Sequence, residues 1–294
     1  MREGDAFFDE FSLDEVDVGT VMLRVRHGGT GPAVLLLHGH PRTHVTWHRV
    51  APLLSSDFTV VCPDLRGYGS SSKPPASADH AEYSKRAMAR DCVALMDRLG
   101  HRRFAAVDHD RGAYAAFRTA MDHPDAVTHL AVLDAVPIGE ALARCDATFA
   151  TAWWHWFFLG NPAANAERII SADPDAWYDS ERARRLMGEA AWPDYRDAIH
   201  DPATVRAMCE DYRAGLTVDR AHDDADRRAE RRVRCPVHVI WATRDDMEQL
   251  YGDPRALWRN VAVTVSGEAI DSGHHMAEEA PDALAAALRS FLTS

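Results

Sequence analysis

The feature that most limits what this chain can fold into is a series of short apolar runs, each ending in polar or charged residues. "AVLLLHG", "FTVVCPD", "FAAVDHD" and "VTHLAVLDAVP" suit strands buried on both faces and are too short for core helices. Between the second and third lies "YSKRAMARDCVALMDRLG", where Met88, Cys92, Leu95 and Leu99 recur at three- and four-residue spacing before Gly100. That spacing predicts an amphipathic helix with a glycine stop. The Ala-rich "GAYAAFRTAMDHP" after "FAAVDHD" reads as a helix packed closely on a sheet and ended by Pro124. Buried strands alternating with helices build parallel βαβ units with both sheet faces covered. "VMLRVRHGG" adds a strand ahead of them, and "GGTGP" a turn that lacks the Lys-Ser/Thr of a phosphate loop.

The alternation stops after "VTHLAVLDAVP". Residues 138–228 hold no convincing strand, carry five of the eight tryptophans, and show helical spacing broken by Pro162, Pro174, Pro193 and Pro202. Strand and helix alternation resumes at "CPVHVIWA" and runs to the helix "PDALAAALRSFLTS". The expected organisation is an α/β core in two parts, 1–137 and 229–294, around a helical insertion over 138–228. The charge run "DDADRRAERR" reads as a solvated helix or linker face.

Composition removes several function classes. A formal charge of −12 is opposite to the basic footprint of a nucleic-acid binder. Nothing approaches the run of about 18 apolar residues that a membrane span needs. The acidic start "MREGDAFFDEFSLDEV" has no apolar export segment, and five scattered cysteines without CxxC spacing read as reduced thiols of a cytoplasmic protein.

The chemistry is concentrated in "DHDRG". Asp110 falls where a parallel strand turns sharply into a helix, at the carboxyl edge where open α/β sheets bind ligands. The same elbow carries the serine of G-x-S-x-G enzymes. A carboxylate there needs no base to attack, but its acyl intermediate is an ester that water must break. Backbone N–H groups near His40 in "LLLHGHP" and at Arg111 could form an oxyanion hole. His274 in "SGHHM" is placed to activate water, with Asp134 in "LDAVP" or Asp245 in "TRDDM" as its acid. His44, His48 and His275 read as surface or supporting groups. No metal is expected, because "HGHP" comes without an H-E-x-x-H motif or an acidic ligand set.

The set "HGHPRTHVTWHRVAP", "DLRGYGSSSKP", "YSKRAMARD", "HDRGA", "LDAVP", "HWFFL", "CEDYRAG" and "SGHHMAEEAPD" resembles the fluoroacetate (haloacetate) dehalogenases, in register over nearly the whole chain. The resemblance implies the α/β-hydrolase fold, with a mostly parallel eight-stranded sheet and a helical cap after the sixth strand. It implies hydrolysis of a short 2-haloacid through an aspartyl ester, without a cofactor, in a cytoplasmic enzyme that pairs as a homodimer through the cap. By position, Asp110 matches the nucleophile, His274 the base and Asp134 its acid. Arg111 matches the residue holding the substrate carboxylate, and His155, Trp156 and Tyr212 match the donors of a halide pocket. Glu210 and Asp211 beside Tyr212 are expected to be solvated.

Two positions depart from the family pattern. Tyr114 stands where a second arginine completes the carboxylate clamp, and His40 where an apolar aromatic is usual. A phenol offers one hydrogen bond and no charge. Arg42 is the nearby cation that could stand in for the missing one. The same nucleophile and base would also serve an epoxide hydrolase, in which a tyrosine such as Tyr212 protonates the epoxide oxygen.

Overall fold

Runs without polar positions become strands covered on both faces. The structure, a computed structural model, describes residues 7–294; the first six residues of the acidic start lie outside the described residues. Eight strands form one sheet: β1 (Ser12–Asp17), β2 (Met22–Gly28), β3 (Ala33–Leu37), β4 (Thr59–Pro63), β5 (Phe104–His109), β6 (Val127–Leu133), β7 (Val237–Ala242) and β8 (Val265–Ile270). Their order is β1-β2-β4-β3-β5-β6-β7-β8, with β2 antiparallel to both β1 and β4 and every other pair parallel. Every residue of β3 and β5 is buried. The period-two alternation then sorts their side chains between layers, so Leu35 and Leu37 join one hydrophobic cluster while Val34 and Leu36 join the other.

The edge strand β1 was not legible as a strand. Its sequence SLDEVD has only two apolar residues and is almost wholly exposed. Its register against β2, from Ser12↔His27 to Asp17↔Met22, comes from the neighbour. An acidic, solvent-facing edge also discourages pairing with other chains.

Helices α1 (Lys85–Arg98) and α2 (Arg111–Asp122) cover the sheet, and between β6 and β7 only helices occur. Those needed here are α3 (Trp154–Gly160), α4 (Pro202–Ala214) and α5 (Arg220–Arg228); α6 (Pro281–Leu292) ends the chain. A π-helical turn at Gly215–Asp219 joins α4 to α5. The charge run in α5 is not simply solvated. Asp223 and Asp226 accept from the buried guanidinium of Arg118 at 2.8 and 2.5 Å, because a cation inside α2 needs countercharge. No described helix is long and apolar enough to cross a membrane.

The sheet has its switch point at β3, which has β4 on one side and β5 on the other. Their carboxyl ends therefore open a crevice. Asp110 sits there with φ 50° and ψ −118°, outside the regions an L-residue prefers. The turn persists because its surroundings fix it. Asp110 N–H donates to Leu133 O at 3.1 Å, and Ala113 N–H donates to Asp110 O at 3.0 Å. Two glycines let the loops close in. A Cβ on Gly39 would lie 2.5 Å from Asp110 Cβ and 2.6 Å from its Oδ1, and one on Gly112 would lie 2.5 Å from His38 O.

Gly39→Ala is therefore expected to push the Asp110 side chain aside and destabilise the fold by about 1–3 kcal/mol. Thermal unfolding checks this: the midpoint should fall by several degrees. An unchanged midpoint would mean that the Gly39 loop yields at no cost.

Candidate active site

The Asp110 carboxylate is met from one side by the chain leaving β3. His40 N–H donates to Asp110 Oδ1 at 2.8 Å, as an oxyanion-hole donor would. The backbone N–H of Arg111 is the first of α2 and has no acceptor within its own helix. The His40 ring packs edge-on against Tyr212 with centroids 5.2 Å apart. Burial, against the pull of Asp110, lowers its pKa to about 3, so the ring is neutral.

From the other side comes His274, whose Nε2 faces Asp110 Oδ2 at 3.9 Å, beyond hydrogen-bond range. Both candidate acids reach its other nitrogen. His274 Nδ1 is 2.8 Å from Asp134 Oδ2 and 2.9 Å from Asp245 Oδ2. Asp134 follows β6 with φ 51°; its N–H donates to Ile240 O at 2.8 Å, and its Oδ1 accepts from Ala242 N–H at 3.1 Å. Burial pushes the Asp134 carboxyl up to about 6, against the pull of His274. Burial acts the same way on Asp245, but the hydrogen bond and charge of His274 outweigh it and hold that group below the usual carboxylate range. Burial disfavours the His274 imidazolium, yet its bonds to both acids raise its pKa well above an ordinary histidine's. These three side chains are the one grouping among the described residues whose donor atoms could share a metal ion. A proton on Nδ1 accounts for their approach.

The cations are arranged differently from the sequence expectation. Arg111 is brought to the site, but its Nε donates to Asp211 Oδ2 at 2.6 Å, and its Nη2 to Asp211 O at 2.7 Å and Oδ1 at 3.1 Å. Its Nη1 amino group stands outside these bonds. The guanidinium stacks on Tyr212, 3.9 Å from the ring centroid. Asp211 is thus not solvated. It is fully buried and also accepts from Lys85 Nζ and, at 2.7 Å, from Tyr68 Oη. Burial opposes its charge, but Arg111 and Lys85 hold its carboxyl well below the usual range. Glu210 is likewise buried, accepting from Arg213 at 2.6 Å and lying 2.6 Å from His80 Nδ1. Arg42 does not replace the missing arginine: it forms a two-bond pair with Glu278 at 2.9 Å, over the Tyr195 ring. These pairs were illegible because charge looks solvated in sequence until its partner from another element is known.

A cleft of about 240 Å³ opens above Asp110, lined among others by Tyr114, Trp153, His155, Trp156, Asp245 and His274. Tyr212 backs it, with ring centroids 6.0 Å from His155 and 6.5 Å from Trp156. The three rings of the predicted trio thus lie near one another, two of them in the cleft lining. Burial lowers the His155 pKa to about 4, leaving a neutral ring that can donate an N–H. Ala152, Trp153, Asp246 and Met247 are lining residues to which the sequence pattern gave no site role. Trp153 Nε1 donates to Asp246 Oδ2 at 2.9 Å, tying α3 to the loop after β7. Of the supporting histidines, His44 and His48 are buried, and His44 Nδ1 lies 2.8 Å from Asp64 Oδ1.

Asp211→Asn would leave Lys85 and Arg111 buried with most of their countercharge gone, a loss of about 3–5 kcal/mol. A carboxylate with a depressed folded-state pKa adds stability that is complete above its unfolded pKa and disappears as pH falls toward the folded one. The parent should therefore lose this contribution progressively below about pH 5, and the variant should show less acid dependence over that range. Denaturant titrations at several pH values check both effects.

The chain matches the model of the α/β hydrolase fold family over residues 32–281. It is 42% identical to the fluoroacetate dehalogenase of Burkholderia sp, over 97% of this chain and 95% of that one. The soluble epoxide hydrolase of Corynebacterium sp. (strain C12) is 32% identical over 86% of this chain and 87% of its own. Among solved structures, ALR0039 from Nostoc sp PCC 7120, described as an α/β hydrolase, superposes with a TM-score of 0.93 at 41% identity, covering 97% and 99% of the two chains. A shared fold alone would not set the branch, but identity at this level over nearly the full length does: the chain belongs to the α/β-hydrolase-fold family, with the fluoroacetate dehalogenases as its kin.

Proposed function

We propose that the protein is a hydrolytic dehalogenase that converts a short 2-haloacid, haloacetate first, to the 2-hydroxy acid and halide. The observation that carries this reading is the placement of Asp110. One oxygen is held by His40 N–H, the other faces His274, and His155 and Trp156 line the cleft with the Tyr212 ring packed beside them.

In the first half-reaction Asp110 Oδ2 attacks the carbon bearing the halogen. The O–C bond forms as the C–X bond breaks, and the halide leaves toward His155, Trp156 and Tyr212. Neutral N–H and O–H donors suit a small, strongly hydrated leaving anion, whose water they replace. The substrate carboxylate is taken by Arg111 Nη1 and the Tyr114 hydroxyl. That is one charged contact where a second arginine would add another. The helical insertion closes over the substrate as a cap.

In the second half-reaction His274 Nε2 takes a proton from water, which attacks Asp110 Cγ. The oxyanion on Oδ1 is braced by the N–H groups of His40 and Arg111. The Cγ–Oδ2 bond then breaks, and the departing alkoxide recovers the proton from His274. The Asp110 charge helps raise the His274 pKa. Ester formation removes that charge, so the imidazole becomes easier to deprotonate at the step that needs a base. A cytoplasmic homodimer, paired through the cap, goes with this reading on the family likeness alone.

A second reading, epoxide opening, is favoured by Tyr114 and Tyr212, whose raised pKa values keep both phenols protonated beside Asp110. Either could protonate the opening epoxide oxygen.

Halide release from fluoroacetate, chloroacetate and bromoacetate, followed by ion chromatography, tests the proposal. The parent should turn over, Asp110→Asn should release nothing, and His274→Gln should release one equivalent and stop with a covalent ester visible by mass spectrometry. Tyr114→Arg should lower KM about tenfold or more, the 1.5–3 kcal/mol of a charge-assisted bond. No halide from any substrate, with turnover of an epoxide panel, would replace the first reading by the second.

A further inference from the structure

The histidine at this site faces two acids where one would orient it. Asp134 and Asp245 come from the ends of different strands, β6 and β7, yet their Oδ2 atoms lie 2.8 and 2.9 Å from the same His274 nitrogen. Each is anchored without His274. Asp134 is buried and accepts from Ala242 N–H through its other oxygen. The Asp245 loop is fixed on both flanks. Thr243 N–H and Arg244 N–H donate to Ile270 O and Ser272 O, at 3.0 and 3.1 Å, on the segment that leads to His274. Asp246 accepts from Trp153, which stacks on Trp156 at 5.3 Å. Neither acid is there by accident of a mobile loop.

The resting charge of the cluster needs both. Two carboxyl groups this close ionise together only beside a cation, and a protonated Nδ1 can be shared by two acceptors. The other titratable groups around His274 are Asp110 at 3.9 Å, His109, whose Nε2 is 2.7 Å from His274 O, the His275 ring at 5.3 Å, and His155 and Asp246, which share the cleft lining and feel its charge. Burial drives His109, His155 and His275 toward the neutral form and, with the Asp245 charge, raises the Asp246 carboxyl, which already accepts from Trp153; the acids in hydrogen-bond contact with the His274 ring are Asp134 and Asp245.

We propose that Asp245 is a second positioning acid for His274, so that either carboxylate alone keeps the imidazole in its reactive orientation and tautomer. This rests on the assignment of His274 as the water-activating base. With one acid removed, the other still accepts the Nδ1 proton. With both removed, the ring loses its orientation and the stabilisation of its charged form.

The test compares Asp134→Asn, Asp245→Asn and the double variant with the parent by two readouts. Single-turnover kinetics separate the halide burst, which depends on Asp110, from ester hydrolysis, which depends on His274. Imidazole NMR titration, assigned with His274→Gln, gives the His274 pKa without any substrate. The halide burst should persist in all three variants. Each single variant should hydrolyse the ester within about tenfold of the parent, and the double at least about a hundredfold more slowly, since losing a triad acid outright costs up to about 10⁴. The His274 pKa should fall in each single variant and further in the double. A single variant as slow as the double, or an unchanged His274 pKa and rate in Asp245→Asn, would overturn the proposal. Asp245 is only partly buried, so its single substitution spares the core and decides the question even if the double variant fails to fold. A parent that releases no halide would count against the dehalogenase reading, while the titration would still test the acid pair.

Discussion

A carboxylate at the end of β5 stands on backbone that L-residues avoid, and the architecture around it is what holds it there. The turn at Asp110 is closed by hydrogen bonds to Leu133 and Ala113 and by two glycines that let the β3 loop and helix α2 approach within contact distance. Strain of this kind survives only when neighbouring structure over-determines it. A parallel sheet with its switch point at β3 provides that, because the carboxyl ends of β3, β5 and β6 are fixed to one another by the ladder. The elbow's exposure to the crevice and its proximity to His40 and His274 both follow from this one constraint.

A second frame is electrostatic. The chain carries a charge of −12, yet its buried cations meet nearby acids, among them Arg111 and Lys85 at Asp211, Arg42 at Glu278, and Arg118 at Asp223 and Asp226. Lone buried charges would be prohibitively costly, and breaking one such pair is strongly destabilising. The Arg111–Asp211 pair also has a geometrical effect. It ties the first residue of α2 to α4 in the insertion and holds the guanidinium over the Tyr212 ring, which packs against His155 and Trp156 of the cleft. Stability and site geometry thus rest on the same bonds.

Much of the site could be read from residues alone. The elbow at Asp110, the His40 loop and the loop of His274 follow from short motifs at strand ends, where periodicity and turn chemistry are local. The grouping of His155, Trp156 and Tyr212 came from resemblance, and the structure places the three rings near one another. What escaped was of another kind. Edge strand β1 has no apolar face to announce it, so its pairing is dictated by β2. Asp211 and Glu210 looked solvated beside Tyr212, and α5 looked like a solvated charge run, because an acid's partner lies on another element. Asp134 and Asp245, set against each other as alternatives, both reach His274.

The sequence by itself determined the alternation of buried strands and helices, the carboxylate elbow and the chemistry open to it, since those depend on local patterns of burial and turn formation. Only the tertiary structure decided where each charge goes: that Arg111 is mostly engaged by Asp211, that Arg42 is closed off by Glu278, and that two acids share one histidine. Coulombic partners act through space at a few ångströms, and no periodicity along the chain encodes which distant residues the fold will bring to that range.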